Sequence, residues 1–411
     1  MMSKRLLFIS IFFLAIDLIA VQAPITIFGG TSLWYTLFIG SSLILITAVM
    51  LSMRKLNTGQ HARFGTILIS TLFVVQFPKL ITAVLLLVED AWRLMALVLN
   101  GLFSISGSNI ELLVVRNPVW SVLAVSVALL LTSLFIYGTL FNVYRYRLHE
   151  IQVKLLRLPK SFAGLRVVQI SDIHSGSLQN HRAVESAVQK INAQNPDLIF
   201  FTGDLVNNIA DEATSFIDIF SKLRAKHGVY SILGNHDYGD YVAWPDAVTK
   251  EANLNKLKHI HAQMGWRLLL NEHVRIEQNG ESIAIAGVEN WSAKGRFSSY
   301  GKLQQALAGL ADAATILLLS HDPSHWEAEI LDHPAEVDMT FSGHTHGMQF
   351  GLEWWKWRWS PVQYLYRQWA GLYNRNHQFL YVNRGFGVIG YPGRVGILPE
   401  ITVFTLQPAN A

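Results

Sequence analysis

Five short segments combine carboxylate, amide and imidazole side chains: Asp172-Ile173-His174, Gly203-Asp204, Gly234-Asn235-His236-Asp237, Ser320-His321 and Gly343-His344-Thr345-His346. Most follow an apolar, β-rich run at the point where a strand would end. Three oxygen donors (Asp172, Asp204, Asn235) and four imidazoles (His174, His321, His344, His346) suit two adjacent divalent cations. Mixed nitrogen and oxygen donors favour manganese, iron or zinc over calcium. Two such ions ~3.5–4 Å apart can activate a water and neutralise a phosphate together, so the pattern implies hydrolysis of a phosphorylated substrate. Asp172 and His174 are alternate residues at a strand exit and can turn toward one cation, while Asp204 can bridge two. Asn235 contributes a neutral oxygen that keeps the second position from becoming over-anionic. His236, next to a ligand but not one itself, reads as the group that protonates the leaving oxygen or binds the substrate, with Asp237 orienting it.

Strands must place these segments together. Leu165–Ser171, Asp197–Thr202 and Gly228–Leu233 are apolar runs that deliver Asp172, Asp204 and Asn235. Ser282–Gly287, Ala314–Ser320 and Val337–Phe341 continue the series, and Phe379–Asn383 and Glu400–Leu406 read as closing strands. Helical stretches are expected at Arg182–Ala193 and near Thr214–Ala225. Strands alternating with helices predict a layered α/β domain. His259-Ile260-His261 lies in a polar helical stretch without a following Asp-His and is read as structural.

The first 150 residues are different. They hold ten Lys or Arg against five Asp or Glu, leaving twenty-three against twenty-four of the totals 33 and 29 for the rest. The basic excess therefore belongs to the hydrophobic part, which argues against a nucleic-acid groove on the soluble one. Leu6–Val21, Leu33–Met53, Thr66–Val88 and Val119–Phe141 approach the ~20 apolar residues that span a bilayer. Leu94–Ile105 is apolar but short and reads as interfacial or re-entrant. Lys4, Arg5, Arg54, Lys55, Arg63, Arg145 and Arg147 flank the spans on one side, which predicts both termini in the cytoplasm. The opening Lys-Arg and apolar run resembles a signal peptide with Ala20-Val21-Gln22-Ala23 as its cleavage site, but Pro24 and three further spans favour an anchor. Pro78 and Lys79 interrupt the third span, and neither Lys79 nor Asp17 has an evident partner in sequence. Without cysteine, disulfides and thiolate metal sites are excluded.

The ordered set Asp-x-His, Gly-Asp, Gly-Asn-His-Asp, Ser-His-Asp-Pro and Gly-His-Thr-His resembles the calcineurin-like metallophosphoesterase superfamily, in its membrane-associated bacterial branch. Tyr381-Val382-Asn383-Arg384-Gly385 and Arg394…Pro399-Glu400-Ile401 resemble that branch's closing segment. The resemblance implies a four-layer α/β/β/α sandwich over residues 151–411, preceded by an all-α transmembrane bundle of about four helices over residues 1–150. It assigns Asp172, His174, Asp204 and His346 to one metal and Asp204, Asn235, His321 and His344 to the other. Many relatives carry a second Gly where this chain has Met348, which bears on the shape of that loop.

Arg384 and Arg394 are candidates to grip a phosphate or to pair with carboxylates. Asn207 is a candidate to bind substrate or to hydrogen-bond its own loop, as is Asn208. Trp354-Trp355-Lys356-Trp357-Arg358-Trp359 suits a bilayer interface, where rings and cations meet headgroups. The expected protein is a multi-pass inner-membrane phosphohydrolase with a cytoplasmic catalytic domain, acting on a phosphoester or pyrophosphate that is a lipid-linked candidate. No obligate protein partner is implied. Two rival readings are a membrane sensor or scaffold that binds ligand without turnover, and a transporter with a regulatory domain.

Overall fold

A computed structural model describes residues 2–56, 62–107, 109–295, 297–355 and 357–409. Its chain divides into two compact units, Met1–Tyr137 and Gly138–Ala411.

The first unit is helical: α1 (Met2–Ala20), α2 (Gln22–Phe28), α3 (Thr31–Leu56), α4 (Ala62–Ile105) and α5 (Pro118–Tyr137). Four helical segments, 7–28, 31–49, 70–105 and 118–142, are long and apolar enough to cross a membrane. Leu94–Ile105 is not a separate segment, contrary to the sequence expectation. It is the last part of α4, whose 44 residues run about 66 Å at 1.5 Å each. The chain then returns alongside it. Asn100 Nδ2 donates to the Leu112 carbonyl (2.8 Å) and its Oδ1 accepts the Leu112 N–H (2.7 Å). Arg116 pairs with Glu89 (3.0 Å) and Asp90 (2.6 Å).

Asp17 and Lys79, which have no evident partner in sequence, pair with each other at 2.9 Å. Asp17 of α1 is fully buried, and Lys79 of α4 also donates to the Phe38 carbonyl, Ser41 Oγ and Ser42 Oγ of α3 at 3.0–3.2 Å. One ammonium thus ties three helices together. Lys79→Met would strand a buried carboxylate and should cost ~3–5 kcal/mol, whereas Lys79→Met with Asp17→Asn should recover most of it. Unfolding of the detergent-solubilised protein measures this, and equal losses in the single and double variants would reject the pin.

The second unit begins ahead of the 150/151 boundary expected from composition. Gly138 and Asn142 are tied to Arg394, whose N–H donates to the Gly138 carbonyl (3.1 Å) and whose carbonyl accepts from Asn142 Nδ2 (2.8 Å). A strand not expected from the sequence, β1 (Arg147–Leu155), also pairs in parallel with the last strand. The strands after it are β2 (Leu165–Ile170), β3 (Leu198–Phe201), β4 (Val229–Ser231), β5 (Trp266–Leu268), β6 (Glu272–Gln278) and β7 (Glu281–Gly287). They continue with β8 (Ile316–Leu319), β9 (Met339–Ser342), β10 (Leu352–Trp354), β11 (Trp357–Trp359), β12 (Gly371–Arg375), β13 (Gln378–Val382) and β14 (Glu400–Pro408). Two six-stranded sheets form, ordered β1-β14-β2-β3-β4-β5 and β12-β13-β9-β8-β7-β6, with β10-β11 a separate hairpin. Lys356 lies outside the described residues.

Strand alternation builds the layers, because successive side chains face opposite sides. Leu198 and Phe200 of β3 and Leu317 and Leu319 of β8 enter one core between the sheets, where the Phe200 and Phe341 rings meet edge to face at 4.9 Å. Ile199 and Phe201 instead face a second core with Val184, Ala187, Val188 and Ile191 of α6 (His181–Asn192). Ile316 and Leu318 face a third core with Leu303, Trp326 and Ile330. The result is a four-layer α/β/β/α sandwich. Near Thr214–Ala225 the chain forms a 3₁₀ stretch, Ala210–Phe216, and a single turn, Ile217–Phe220, not a full helix.

Candidate functional site

β2, β3 and β4 are parallel neighbours in one sheet, and β8 and β9 in the other, so their carboxyl ends gather on common edges. Every metal-ligand candidate lies just past one of these ends, where α/β sheets bind ligands. Five of the seven sit in the left-handed backbone region: Asp172 (φ 53°), His174 (45°), Asp204 (61°), His344 (71°) and His346 (51°). That conformation turns a side chain sharply back over the strand end and costs roughly 1–2 kcal/mol per residue. Two motif glycines are required by close approach. A Cβ at Gly234 would strike the Asp204 carboxylate, and one at Gly343 would strike Ser171 Oγ and Asp172 Oδ2.

The seven donors converge. His174 Nε2 is 3.0 Å from His346 Nε2, which is 3.3 Å from Asp172 Oδ1. Asp204 Oδ2 lies 3.1 Å from His321 Nε2 and 3.6 Å from His174 Nε2, between the two groups. His344 Nδ1 is 2.8 Å from Asn235 Oδ1 and 3.3 Å from His321 Nε2. Asp172, His174 and His346 form one cluster and Asp204, His321 and His344 another, each with its ligand atoms within 4.8 Å of one another.

Backbone carbonyls set the tautomers. A carbonyl only accepts, so the one of Val206 (3.2 Å) keeps the proton of His174 on Nδ1, and that of Thr202 (2.7 Å) does so for His321. Their Nε2 atoms then face His346 Nε2 and the Asp204 carboxylate, an arrangement that needs either a proton or a cation between the facing atoms. His344 instead presents Nδ1, and its Nε2 meets the Tyr366 hydroxyl at 2.9 Å. Tyr366 donates onward to Asp322 Oδ2 (3.2 Å), which also accepts from Ser292 Oγ (2.5 Å). Such outer partners orient a ligand and tune its basicity. The donor set therefore fits two divalent cations.

The electrostatics agree with that fit. Burial drives the imidazoles of His174 and His344 below their ordinary range. Burial also opposes a proton on His321, but the Asp204 carboxylate outweighs it and raises this imidazole to about 10. Burial disfavours the Asp172 and Asp204 charges as well, yet the surrounding imidazoles hold both carboxyls below the carboxylate range. A cation taking His321 Nε2 must displace a tightly held proton. Below a pH of about 10, metal affinity should rise with pH by up to ~10-fold per unit for each proton displaced. Chelator competition at several pH values measures this, and a flat affinity would exclude proton displacement.

His236 is half-buried beside the ligands, with its ring centroid 5.0 Å from that of His174. Its partner is not Asp237, as expected from sequence. His236 Nδ1–H donates to the Asn207 carbonyl (2.7 Å), which leaves Nε2 free. The Asp237 carboxylate points into the backbone and accepts N–H groups from Asp204 (2.9 Å), Leu205 (2.9 Å), Val206 (3.2 Å) and Gly234 (2.9 Å). It shapes the Asp204 turn by accepting these four N–H groups, although burial and the nearby Asp204 charge push its carboxyl up to about 7.

Asn207 holds its own loop through Nδ2, which donates to Ser177 Oγ (2.8 Å), while Glu212 Oε2 accepts the Asn207 N–H (2.6 Å) and the Asn208 N–H (3.3 Å). Arg384 bridges Glu400 (2.7 Å) and Glu353 (2.6 Å), the carboxylate pairing that was one of its two expected roles. Arg394 is fully buried, and its guanidinium donates to the carbonyls of Arg384 (2.7 Å), Gly385 (3.0 Å) and Gly387 (3.1 Å). Neither arginine is left free to grip a phosphate, since both clamp the closing segment. His261 is buried against Ser231 Oγ (3.0 Å), a structural role. Sequence reasoning missed Tyr366, for which there was no signal, and Asp322, whose place after His321 in the Ser-His-Asp-Pro motif was one.

Comparison with known proteins gives two family matches. "Calcineurin-like phosphoesterase" covers residues 165–348, and "Probable Calcineurin-like phosphoesterase, transmembrane domain" covers residues 4–143. The chain is similar to the Bacillus subtilis "Uncharacterized metallophosphoesterase YkuE", at 31% identity over 267 residues, which is 64% of this chain and 85% of that one. It is also similar to the Danio rerio "Transmembrane protein with metallophosphoesterase domain", at 29% identity over 292 residues, 69% of this chain and 62% of the relative. The match thus spans under two thirds of the fish protein. With four apolar helices ahead of a sandwich that carries this ligand set, the chain belongs to the calcineurin-like metallophosphoesterases and is a membrane protein.

Proposed function

We propose that this protein is a membrane phosphohydrolase that cleaves a phosphoester or pyrophosphate bond, with lipid-linked phosphate as its substrate class. The observation that carries this reading is the position of Asp204 Oδ2 between two triads of buried ligands. Asp172, His174, Asp204 and His346 would hold one divalent cation, and Asp204, Asn235, His321 and His344 the other. Manganese, iron or zinc bound there would supply water activation and neutralisation of phosphate charge.

The chain's own residues do the rest. Thr202 and Val206 carbonyls hold the Nδ1 protons of His321 and His174, so Nε2 is the atom each ring would offer to a cation. The Asn207 carbonyl fixes His236 Nδ1–H, so Nε2 is the atom that takes up a second proton and, from the imidazolium, hands it to the leaving oxygen, returning to the neutral ring. Asp237 keeps the Asp204 turn in register with this donor. The sensor reading would expect at least one ligand to be lost or turned away, and none is. Lys79 and Asp17, whose pairing now gives the transporter reading a buried intramembrane charge pair, are both consumed by a helix–helix contact. Four apolar spans with the positive flanks on one side support a cytoplasmic catalytic domain.

The test uses purified full-length protein loaded with manganese. Turnover of p-nitrophenyl phosphate or its bis-ester should appear, vanish with chelator and return on re-addition. Full metal content without turnover of either ester, or of phosphorylated species in a lipid extract, would overturn the reading. A C-terminal reporter active only outside the cytoplasm would overturn the orientation.

A further inference from the structure

Between β9 and β12 the chain leaves the sandwich and forms a small cap over a core of Val362, Trp369 and Ala370, completed by Ile397 from the segment after β13, with Tyr366 packed against it. The cap is tied to the ligand loop. Thr345 Oγ1 donates to the Trp369 carbonyl (2.7 Å), Ser360 Oγ donates to the Gly347 carbonyl (2.8 Å), and Tyr366 holds His344. Arg384 fastens the base of the hairpin through Glu353.

Its outer residues are unusual for a domain surface. Trp354 is 84% exposed, Trp355 93%, Trp357 57%, Tyr364 76% and Leu365 53%. Met348 adds a half-exposed apolar side chain at a left-handed position (φ 54°), where glycine would sit without strain. Backbone strain that keeps an apolar group in solvent is characteristic of a functional surface. Arginines lie in the same cap. The Arg358 guanidinium covers the inner rings Trp369 (5.7 Å) and Tyr373 (5.3 Å), and the Arg367 side chain is 83% exposed, 3.8 Å from Glu327.

We propose that this cap is a bilayer-docking element, with Met348, Trp354, Trp355, Trp357, Tyr364 and Leu365 entering the boundary between lipid headgroups and acyl chains. Tryptophan and tyrosine with interleaved arginine is the composition of that boundary. The occupant is lipid rather than a soluble partner, because the chain's own apolar helices hold its domain at a membrane and raise the effective concentration of that surface. Tyr366 then connects the docked cap directly to a metal ligand. The consequence for catalysis, that phosphate esters are taken from the lipid surface, rests on the phosphohydrolase reading; the docking itself does not.

The absence of native cysteine permits a clean test. Full-length Trp355→Cys and Tyr364→Cys carry a nitroxide label in nanodiscs of phosphatidylcholine with phosphatidylglycerol. Val248→Cys, at an exposed apolar residue of α7 (Ala247–Gln263), is the reference. Labels at 355 and 364 should collide with oxygen more than with a nickel chelate, and the label at 248 should do the reverse. If 355 and 364 behave like 248, or exclude both reagents as a protein contact would, docking is overturned whatever the activity. In a second arm, Met348→Gly with Trp354→Ser and Trp355→Ser should lower turnover of a vesicle-embedded phosphoester by ~10-fold, equivalent to ~1.4 kcal/mol. The same variant should retain turnover of the soluble aryl ester, and equal losses on both would also count against docking.

Discussion

Asp204→Asn should deplete both metal positions together and lower turnover by ~10³-fold or more, since bound cations supply several kcal/mol of transition-state stabilisation. The substitution is close to isosteric. An amide oxygen in the place of Oδ1 still accepts the His236 N–H, now at 2.9 Å, and an amide nitrogen in the place of Oδ2 can donate to His321 Nε2. The fold should therefore persist while the one oxygen that faces both triads is lost. Elemental analysis beside circular dichroism separates the cases. Retention of two ions per chain would mean that Asp204 does not bridge.

His236→Asn should behave in the opposite way: two ions retained, and turnover reduced by ~10²–10⁴-fold, the range for loss of a general acid. The deficit should shrink for substrates with a strongly acidic leaving group, such as p-nitrophenyl esters, and grow for alkyl esters, whose leaving oxygen needs a proton. Leaving-group dependence measured on the wild type and the variant tests the role directly. A uniform loss across leaving groups would make His236 a phosphate binder instead of an acid.

Much of this centre was legible before any coordinates, and the reason is local. Each ligand motif follows an apolar run whose strand character is encoded within a few residues, and metal chemistry restricts which side chains can serve. What escaped was encoded elsewhere. His236 takes its orientation from a backbone carbonyl, which every residue carries and which no pattern marks. Asp237 looked like a partner for its neighbour because the two are adjacent, yet four N–H donors draw its carboxylate the other way. Tyr366 lies 22 residues from His344, and Lys79 lies 62 from Asp17, so both pairings exist only through tertiary folding. The continuity of α4 was hidden for another reason. Glu89, Asp90 and Arg93 interrupt hydropathy, but helices are broken by glycine and proline, and none lies between Lys79 and Asn100.

The left-handed turns at the ligands carry an implication for how this protein ages in a lineage. At each of those five positions glycine would relieve the backbone by ~1 kcal/mol. A copy released from catalytic duty would gain stability by drifting toward it, and the centre would erode at its ligands first. Asp, His, Asp, His and His in these poses therefore hold the ligand set together at a standing cost in backbone strain.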